Sequence, residues 1–211
     1  MAIYLDSASP SDLRQALELG FVAGVTTNPE LLARTDRSAE KAVSELCDLL
    51  GDGLVFYQLM GTSVDERERE AHHVTGLRPG RVGLKIPCTT ENLALVPRLA
   101  AGGLVCAVTA VFSGYQALLA CSVGAHYVIP YVNRATRQIG DGPALIREIR
   151  DVIDGGGASS QILAASFRSL PEIATAARAG AHHVTIPLAL LRAMGDHPLS
   201  ERAIAEFAEF R

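Results

Sequence analysis

One lysine lies inside an apolar run. The segment "VGLKIP" carries Lys85, and the chain has one other lysine, Lys41, against seventeen arginines. If the segment is a strand, alternation sends Val82, Leu84 and Ile86 to one face and Gly83 and Lys85 to the other. An amine on the covered inner face loses water. Desolvation and neighbouring cations then lower its pKa and raise the fraction of free amine at neutral pH. A free amine attacks a carbonyl carbon and forms a Schiff base, whose iminium is an electron sink for making or breaking a C–C bond. The competing reading is a lysine paired with Asp6 for structure alone, although buried ion pairs are weak sources of stability.

Schiff-base chemistry needs proton carriers and ligands for hydroxyls and anions, and polar residues recur late in the other apolar runs. Asp6 ends "IYLD", and Thr26, Thr27 and Asn28 end "VAGVTTN". Gln58 and Thr109 fall late in "LVFYQLM" and "LVCAVTAV". Tyr131, Asn133 and Arg134 follow "HYVIP", and Ser166 and Arg168 follow "QILAA". The last run, "HHVTIPL", ends with nothing titratable. Tyr131 is the candidate proton carrier, directly or through a water fixed by Gln58 and Thr109. Asp6 could orient donor hydroxyls or assist cleavage, and Asn28, with Thr26 beside it, could bind a hydroxyl. Arg134, Ser166 and Arg168 form a candidate anion site for a phosphate or carboxylate.

The remaining reactive residues point elsewhere. His72–His73 falls on a helical pattern and His182–His183 on a strand, where adjacent side chains face opposite ways. Neither pair has a matching ligand set, so no metal is expected, and no cofactor is implied. "DERERE" (65–70) reads as a solvated helix start, and Lys41 as a surface residue. The four cysteines lack C-x-x-C spacing and read as buried free thiols.

Positioning these groups requires the elements around them. The strand candidates are "IYLD", "VAGVTTN", "LVFYQLM", "VGLKIPC", "LVCAVTAV", "HYVIPYV", "QILAASF" and "HHVTIPL". Between them lie helical patterns such as "PSDLRQALELG", "SAEKAVSELCDLLG", "TTENLALVPRLAAGG" and "GPALIREIRDVIDGG". Many start near Ser, Thr or Pro and end in Gly, as capped helices do. Strict alternation implies parallel βαβ units, and eight of them imply a (β/α)8 TIM barrel, an α/β fold. A doubly wound sheet would instead place a Gly-rich phosphate loop after its first strand, where this chain has "LDSASPS". No linker or low-complexity tract interrupts the pattern. Residues 1–211 are expected to form one barrel domain with an additional C-terminal helix near "LSERAIAEFAEF". In a barrel the strand ends share one mouth, so the scattered polar residues become one cluster around Lys85.

Composition narrows the class further. The chain is 48% hydrophobic and 20% charged, with a formal net charge of −4. No basic block favours nucleic acid, and no run reaches membrane-spanning length. "MAIYLDSASP" lacks the pattern of a signal peptide, so a cytoplasmic protein is expected.

"YLD", "AGVTTNP", "LKIP", "VTAVFS", "YVIPYVNR" and "ILAASFR", in this order and spacing, resemble the small transaldolase/fructose-6-phosphate aldolase family across nearly the whole chain. The resemblance implies a class I aldolase with Lys85 as Schiff-base lysine. It implies donor binding by Asp6 and Asn28, and a catalytic water held by Gln58, Thr109 and Tyr131. It implies an acceptor phosphate on Arg134 and Ser166 with Arg168, and small carbonyl and sugar-phosphate substrates. Members commonly form pentamers or decamers, so a homo-oligomer is expected by resemblance.

Transaldolases resemble one another in a Glu on the third strand, an Asn two residues before the fifth-strand Thr, and a Phe in "PFVGR". This chain has Gln58, Ala107 and Tyr131, which favour the aldolase branch. A Gln removes a titratable acid, and a Tyr adds a hydroxyl to the water site. Ile129 stands where the family usually has a small residue, and Ala107 where the aldolases have a larger one. These two are expected to shape opposite pocket walls, with Ile129 disfavouring dihydroxyacetone relative to hydroxyacetone or glycolaldehyde. The alternatives are a transaldolase moving a three-carbon unit between sugar phosphates, and a barrel that binds sugar phosphate without turnover.

Overall fold

The computed structural model describes residues 1–210. Eight strands alternate with helices in chain order. The first half runs β1 (Ala2–Asp6), α1 (Pro10–Glu18), β2 (Val22–Thr26), α2 (Pro29–Ala33), α3 (Ala39–Leu50), β3 (Leu54–Gln58), α4 (Val64–Leu77), β4 (Val82–Pro87), α5 (Thr90–Leu93) and α6 (Val96–Ala101). The second half runs β5 (Cys106–Val111), α7 (Gly114–Ser122), β6 (Tyr127–Pro130), α8 (Val132–Ile139), α9 (Gly142–Gly156), β7 (Gln161–Ala164), α10 (Leu170–Arg178), β8 (His183–Ile186), α11 (Leu188–Ala193) and α12 (Pro198–Ala208). All neighbouring strands pair in parallel, and β8 pairs with β1 to close the barrel. The fold is the expected (β/α)8 barrel with a C-terminal helix.

Side-chain oxygens start the helices where the sequence places them. Ser9, Ser38, Ser63, Thr89, Ser113 and Asp141 each accept a backbone N–H from the first turn of the following helix. The segment read as one helix, "TTENLALVPRLAAGG", is two, because Pro97 brings no N–H and crowds the turn before it. The short helices α2, α8 and α11 lie directly behind strand ends, and α2 and α11 are too brief to show a period.

Alternation along each strand builds two cores. Outward residues such as Val82, Leu84 and Ile86 pack under the helices in the larger one. Inward residues fill the barrel in a second cluster of Tyr4, Phe56, Ala107, Ile129, Leu163 and Ala165. Glycine makes room for its aromatic rings. A Cβ at Gly24 would lie 2.5 Å from the Tyr4 ring, and one at Gly83 2.5 Å from the Phe56 ring. Tyr4, Phe56, Tyr127 and His183 then meet edge-on in a closed circuit, with centroids 5.5 to 6.1 Å apart. This plug closes the barrel beneath the site.

The two histidines of the last strand segment are structural. His183 Nδ1 accepts the Ala2 N–H at 3.0 Å, and His182 Nδ1 accepts the Ile162 N–H at 2.9 Å. His73 meets Glu40 on the surface. No helix among the described residues is long and apolar enough to cross a membrane.

Candidate active site

Register brings the predicted residues to one end of the barrel. Asp6 pairs beside Thr26, and Gln58 beside Lys85. They open into a cavity of about 520 Å³ lined by Asp6, Thr26, Asn28, Gln58, Lys85 and Tyr131, with Arg134, Ser166 and Arg168 at its other side. Residues distant in sequence meet because every strand ends at the same mouth.

Lys85 is 4% exposed, and its Nζ donates to the Thr27 carbonyl at 2.7 Å. Its hydrogen bond therefore goes to the main chain and not to Asp6. Burial lowers its pKa from 10.5 to about 8, while the nearby Asp6 charge pulls it part of the way back. Asp6 is pushed the other way. Burial raises its pKa, against the opposing pull of Lys85, a hydrogen bond from Thr26 and Arg168. The two groups thus approach one another in proton affinity, as an acid and a base sharing one dry site do.

Asp6 belongs to a hydroxyl chain. Thr26 Oγ1 donates to Asp6 Oδ1 at 3.0 Å, and Thr185 lies 2.7 Å from Thr26 Oγ1. With the Thr26 proton directed at Asp6, Thr185 supplies the donor of the second link. Sequence reasoning missed Thr185 because it searched β8 for titratable groups. Its parity with His183, which faces inward, was the available signal.

Tyr131 follows β6, and its hydroxyl accepts from Thr109 Oγ1 at 3.0 Å. The Arg134 guanidinium lies 4.9 Å from the Tyr131 ring centroid, and Phe112 packs against the ring edge. Burial raises the Tyr131 pKa, and the Thr109 hydrogen bond and Arg134 oppose the rise. Gln58 Oε1 is buried without a hydrogen-bond partner. An orphan acceptor beside a reactive amine fits a bound water or a substrate hydroxyl.

Other predicted residues take mixed roles. Asn28 caps α2 through Oδ1, so its amide N–H₂ is the group left for a ligand. Asn133 is structural, because its Nδ2 donates to Glu172 Oε1 at 2.6 Å while Glu172 Oε2 accepts the Arg168 N–H at 2.7 Å. Ala107 and Ile129 do not reach the cavity surface. Both are fully buried in the inner core, two residues before Thr109 and Tyr131 and so one side-chain layer deeper. The expected walls therefore lie beneath the cavity and support its floor.

Residues 3–210 match the family model described as Transaldolase/Fructose-6-phosphate aldolase. The chain belongs to this family. A probable transaldolase 2 of Listeria monocytogenes is 37% identical over 98% of this chain and 94% of its own. A probable transaldolase of Streptococcus agalactiae is 38% identical over 98% and 95%, and one of Pelotomaculum thermopropionicum 37% over 99% and 96%. A solved mandelate oxidase mutant with a monooxide FMN adduct is similar in fold alone, with TM-score 0.61 and 16% identity over 98% of this chain and 70% of that one.

Within this transaldolase/fructose-6-phosphate aldolase frame, the cavity also holds residues that strand-end reasoning did not reach. Glu30 of α2 and Arg34, which caps its C-terminus, line it and pair with each other across one helical turn. Pro187, from the end of β8, completes the rim. The i,i+4 spacing of Glu30 and Arg34 within "NPELLAR", which begins at Asn28, was the sequence signal for the pair.

Proposed function

We propose that this chain is a class I aldolase in which Lys85 Nζ forms a Schiff base with a small ketone or aldehyde donor. The donor is of the hydroxyacetone, dihydroxyacetone or glycolaldehyde type. It is added reversibly to an aldehyde acceptor, as in fructose-6-phosphate aldolases. The observation that carries the reading is the buried Lys85 amine, with its pKa lowered to about 8 at the floor of a polar cavity.

The steps balance with the groups at hand. The Lys85 lone pair attacks the donor carbonyl carbon, and the oxygen takes a proton to give a carbinolamine. Loss of water leaves the iminium. Removal of a proton from the adjacent carbon, or cleavage of the C–C bond there, sends an electron pair into a new C=C bond while the C=N π pair returns to nitrogen, giving an enamine. The enamine carbon attacks the acceptor aldehyde, whose oxygen takes the proton, and hydrolysis returns the product and the free amine. Tyr131 holds the travelling proton, through a water on Gln58 and Thr109. Asp6, Thr26 and Asn28 hold donor hydroxyls, and Arg134, Ser166 and Arg168 hold the acceptor phosphate. We assign the protein to a homo-oligomer of the cytoplasm on the same reading, with the exposed Leu199, Ile204 and Phe207 of α12 as surface for a second copy.

A second reading, transfer of a three-carbon unit between sugar phosphates, is favoured by the names of the relatives. Gln58 and the Tyr131 hydroxyl favour release of a free donor instead. Borohydride reduction in the presence of hydroxyacetone, read by intact mass, should give one adduct that is absent from Lys85→Met. Turnover assays then separate donor released from donor transferred. No adduct with any carbonyl donor, or an adduct that persists in Lys85→Met, ends the proposal.

A further inference from the structure

Strict alternation along β5 would point Ala107, Thr109 and Val111 inward and Val108, Ala110 and Phe112 outward. The strand begins that way, with Ala107 in the inner core and Val108 under the helices. It ends differently. Val111 is fully buried in the outer core, and Phe112, which also packs against that core, meets the Tyr131 ring edge-on at 6.0 Å. The phase changes at one residue: Thr109 pairs with Ile129 and Val111 with Pro130, so Ala110 is extra on its side of the ladder. Its φ is +60°, a conformation that strains an alanine and not a glycine.

We propose that Ala110 is a positioning residue, whose left-handed backbone inserts a bulge that aims the Thr109 hydroxyl and the Phe112 ring at Tyr131. The functional meaning rests on the reading of Tyr131 as proton carrier. Bulges next to active sites commonly re-aim a side chain in this way. Here the segment on one side of the bulge supplies the hydrogen bond to the phenol, and the segment on the other supplies its edge contact. The Thr109 carbonyl is meanwhile anchored by the Cys88 N–H at 2.9 Å, next to the strand that carries Lys85.

A second strained residue lies beside the segment that holds the backbone of the same tyrosine. Among the described residues, Ser166 (φ +66°) is the one other non-glycine with positive φ. Ala165, just before it, bridges the Tyr131 main chain and accepts the Val132 N–H at 2.9 Å, and Ser166 accepts the Asn133 N–H at 2.9 Å. The two left-handed residues thus flank the segments that hold Tyr131: Thr109 and Phe112, on either side of Ala110, meet its phenol and ring, and Ala165, just before Ser166, bridges its backbone. Strain of this kind persists only where the surrounding structure enforces it, and it gathers at functional sites.

The test compares Ala110→Gly, Ala110→Asn and Ala110→Val in the full chain, with Tyr131→Phe as reference. Gly and Asn adopt left-handed backbone readily and Val does not, although Asn and Val are close in bulk. The first measurement is the titration of the Tyr131 phenol by NMR of ring-labelled tyrosine, assigned by the signal lost in Tyr131→Phe. Gly and Asn should titrate like the parent, and Val should titrate higher, because burial is no longer offset by the Thr109 hydrogen bond. The second is exchange of the carbon-bound hydrogens of hydroxyacetone with D₂O. It should stay within about twofold for Gly and Asn and fall at least about tenfold for Val, with the trapped Lys85 adduct retained. Parent-like titration and exchange in Val, or damage in Asn equal to that in Val, overturns the proposal. Should Val not fold, a lost Thr109–Tyr131 signature in Ala110→Gly overturns it alone. If the parent protein forms no Lys85 adduct, the aldolase reading fails, and the titration still decides the role of Ala110.

Discussion

Raising the pH from 7 to 9 should speed capture of a carbonyl donor by Lys85 about tenfold, and a further rise to pH 10 should add almost nothing. The perturbation acts on one group, the amine whose pKa burial has lowered to about 8. At that value about 9% of the amine is free at pH 7 and about 90% at pH 9, whereas an ordinary lysine would gain about a hundredfold over the same interval without a plateau. The assay exposes the protein to excess hydroxyacetone for short intervals, quenches with borohydride, and reads the fraction of adduct by intact mass, with Lys85→Met as the blank. Asp6 supplies an internal check. Its charge holds the Lys85 pKa up, so Asp6→Asn should move the midpoint of the profile to lower pH. A capture rate that climbs in proportion to hydroxide through pH 10, or a midpoint that rises in Asp6→Asn, would refute the link between burial and reactivity.

The same burial has a cost in stability. A shift from 10.5 to about 8 means that the folded state holds the Lys85 proton less tightly than the unfolded state, which penalises folding by about 3 kcal/mol at pH 7. The Lys85 contribution, read in urea as wild type minus Lys85→Met, should therefore rise with pH between about 8 and 10.5, while both proteins lose stability above about pH 9 because burial pushes the Cys47 thiol up to about 11 and the Cys106 thiol up to about 12. After losing the bond to the Thr27 carbonyl, Lys85→Met should remain about 1–2 kcal/mol more stable at pH 7. His182 and His183 have pKa values lowered by burial, so stability should fall as the pH drops below the ordinary histidine range near 6.5. Protonation removes the Nδ1 acceptors of the Ile162 and Ala2 N–H groups, and His183→Asn should flatten part of that acid limb in thermal melts. Ile129→Ala leaves a void in the inner core and should cost about 2–5 kcal/mol in chemical denaturation. It should also raise dihydroxyacetone turnover relative to hydroxyacetone, and an unchanged ratio would remove Ile129 from donor selection.

Much of this architecture was legible because it follows from local periodicity. Strand–helix alternation implied the barrel, and parity within "VGLKI" placed Lys85 inward with Val82, Leu84 and Ile86 under the helices, where they are found. Strand-end polarity located the cavity, since all eight ends meet at one mouth. Thr185 and the Glu30–Arg34 pair escaped for a different reason. One carries no charge, and the other lies on a five-residue helix past the strand end, so neither stands out until its neighbours are known.

Parity tells which way a side chain points and says nothing of how deep it lies. Ala107 and Ile129 have the inward parity of Thr109 and Tyr131, which made them candidates for pocket walls. Depth depends on barrel stagger, which pairs Lys85 with Ala107 and Thr109 with Ile129, and stagger is a property of eight strands together. The bulge at Ala110 hides more completely. Left-handed backbone usually advertises itself as glycine, but here an alanine occupies it, so nothing in "CAVTAVF" marks the point where alternation breaks. The departure from local preference falls beside Tyr131, between the hydroxyl of Thr109 that bonds its phenol and the ring of Phe112 that meets its edge. A strand obeying its own periodicity would have kept Val111 inward, whereas Val111 lies fully buried in the outer core. The broken rule is therefore itself evidence for a site, and it becomes readable only once the register of β5 against β6 is known.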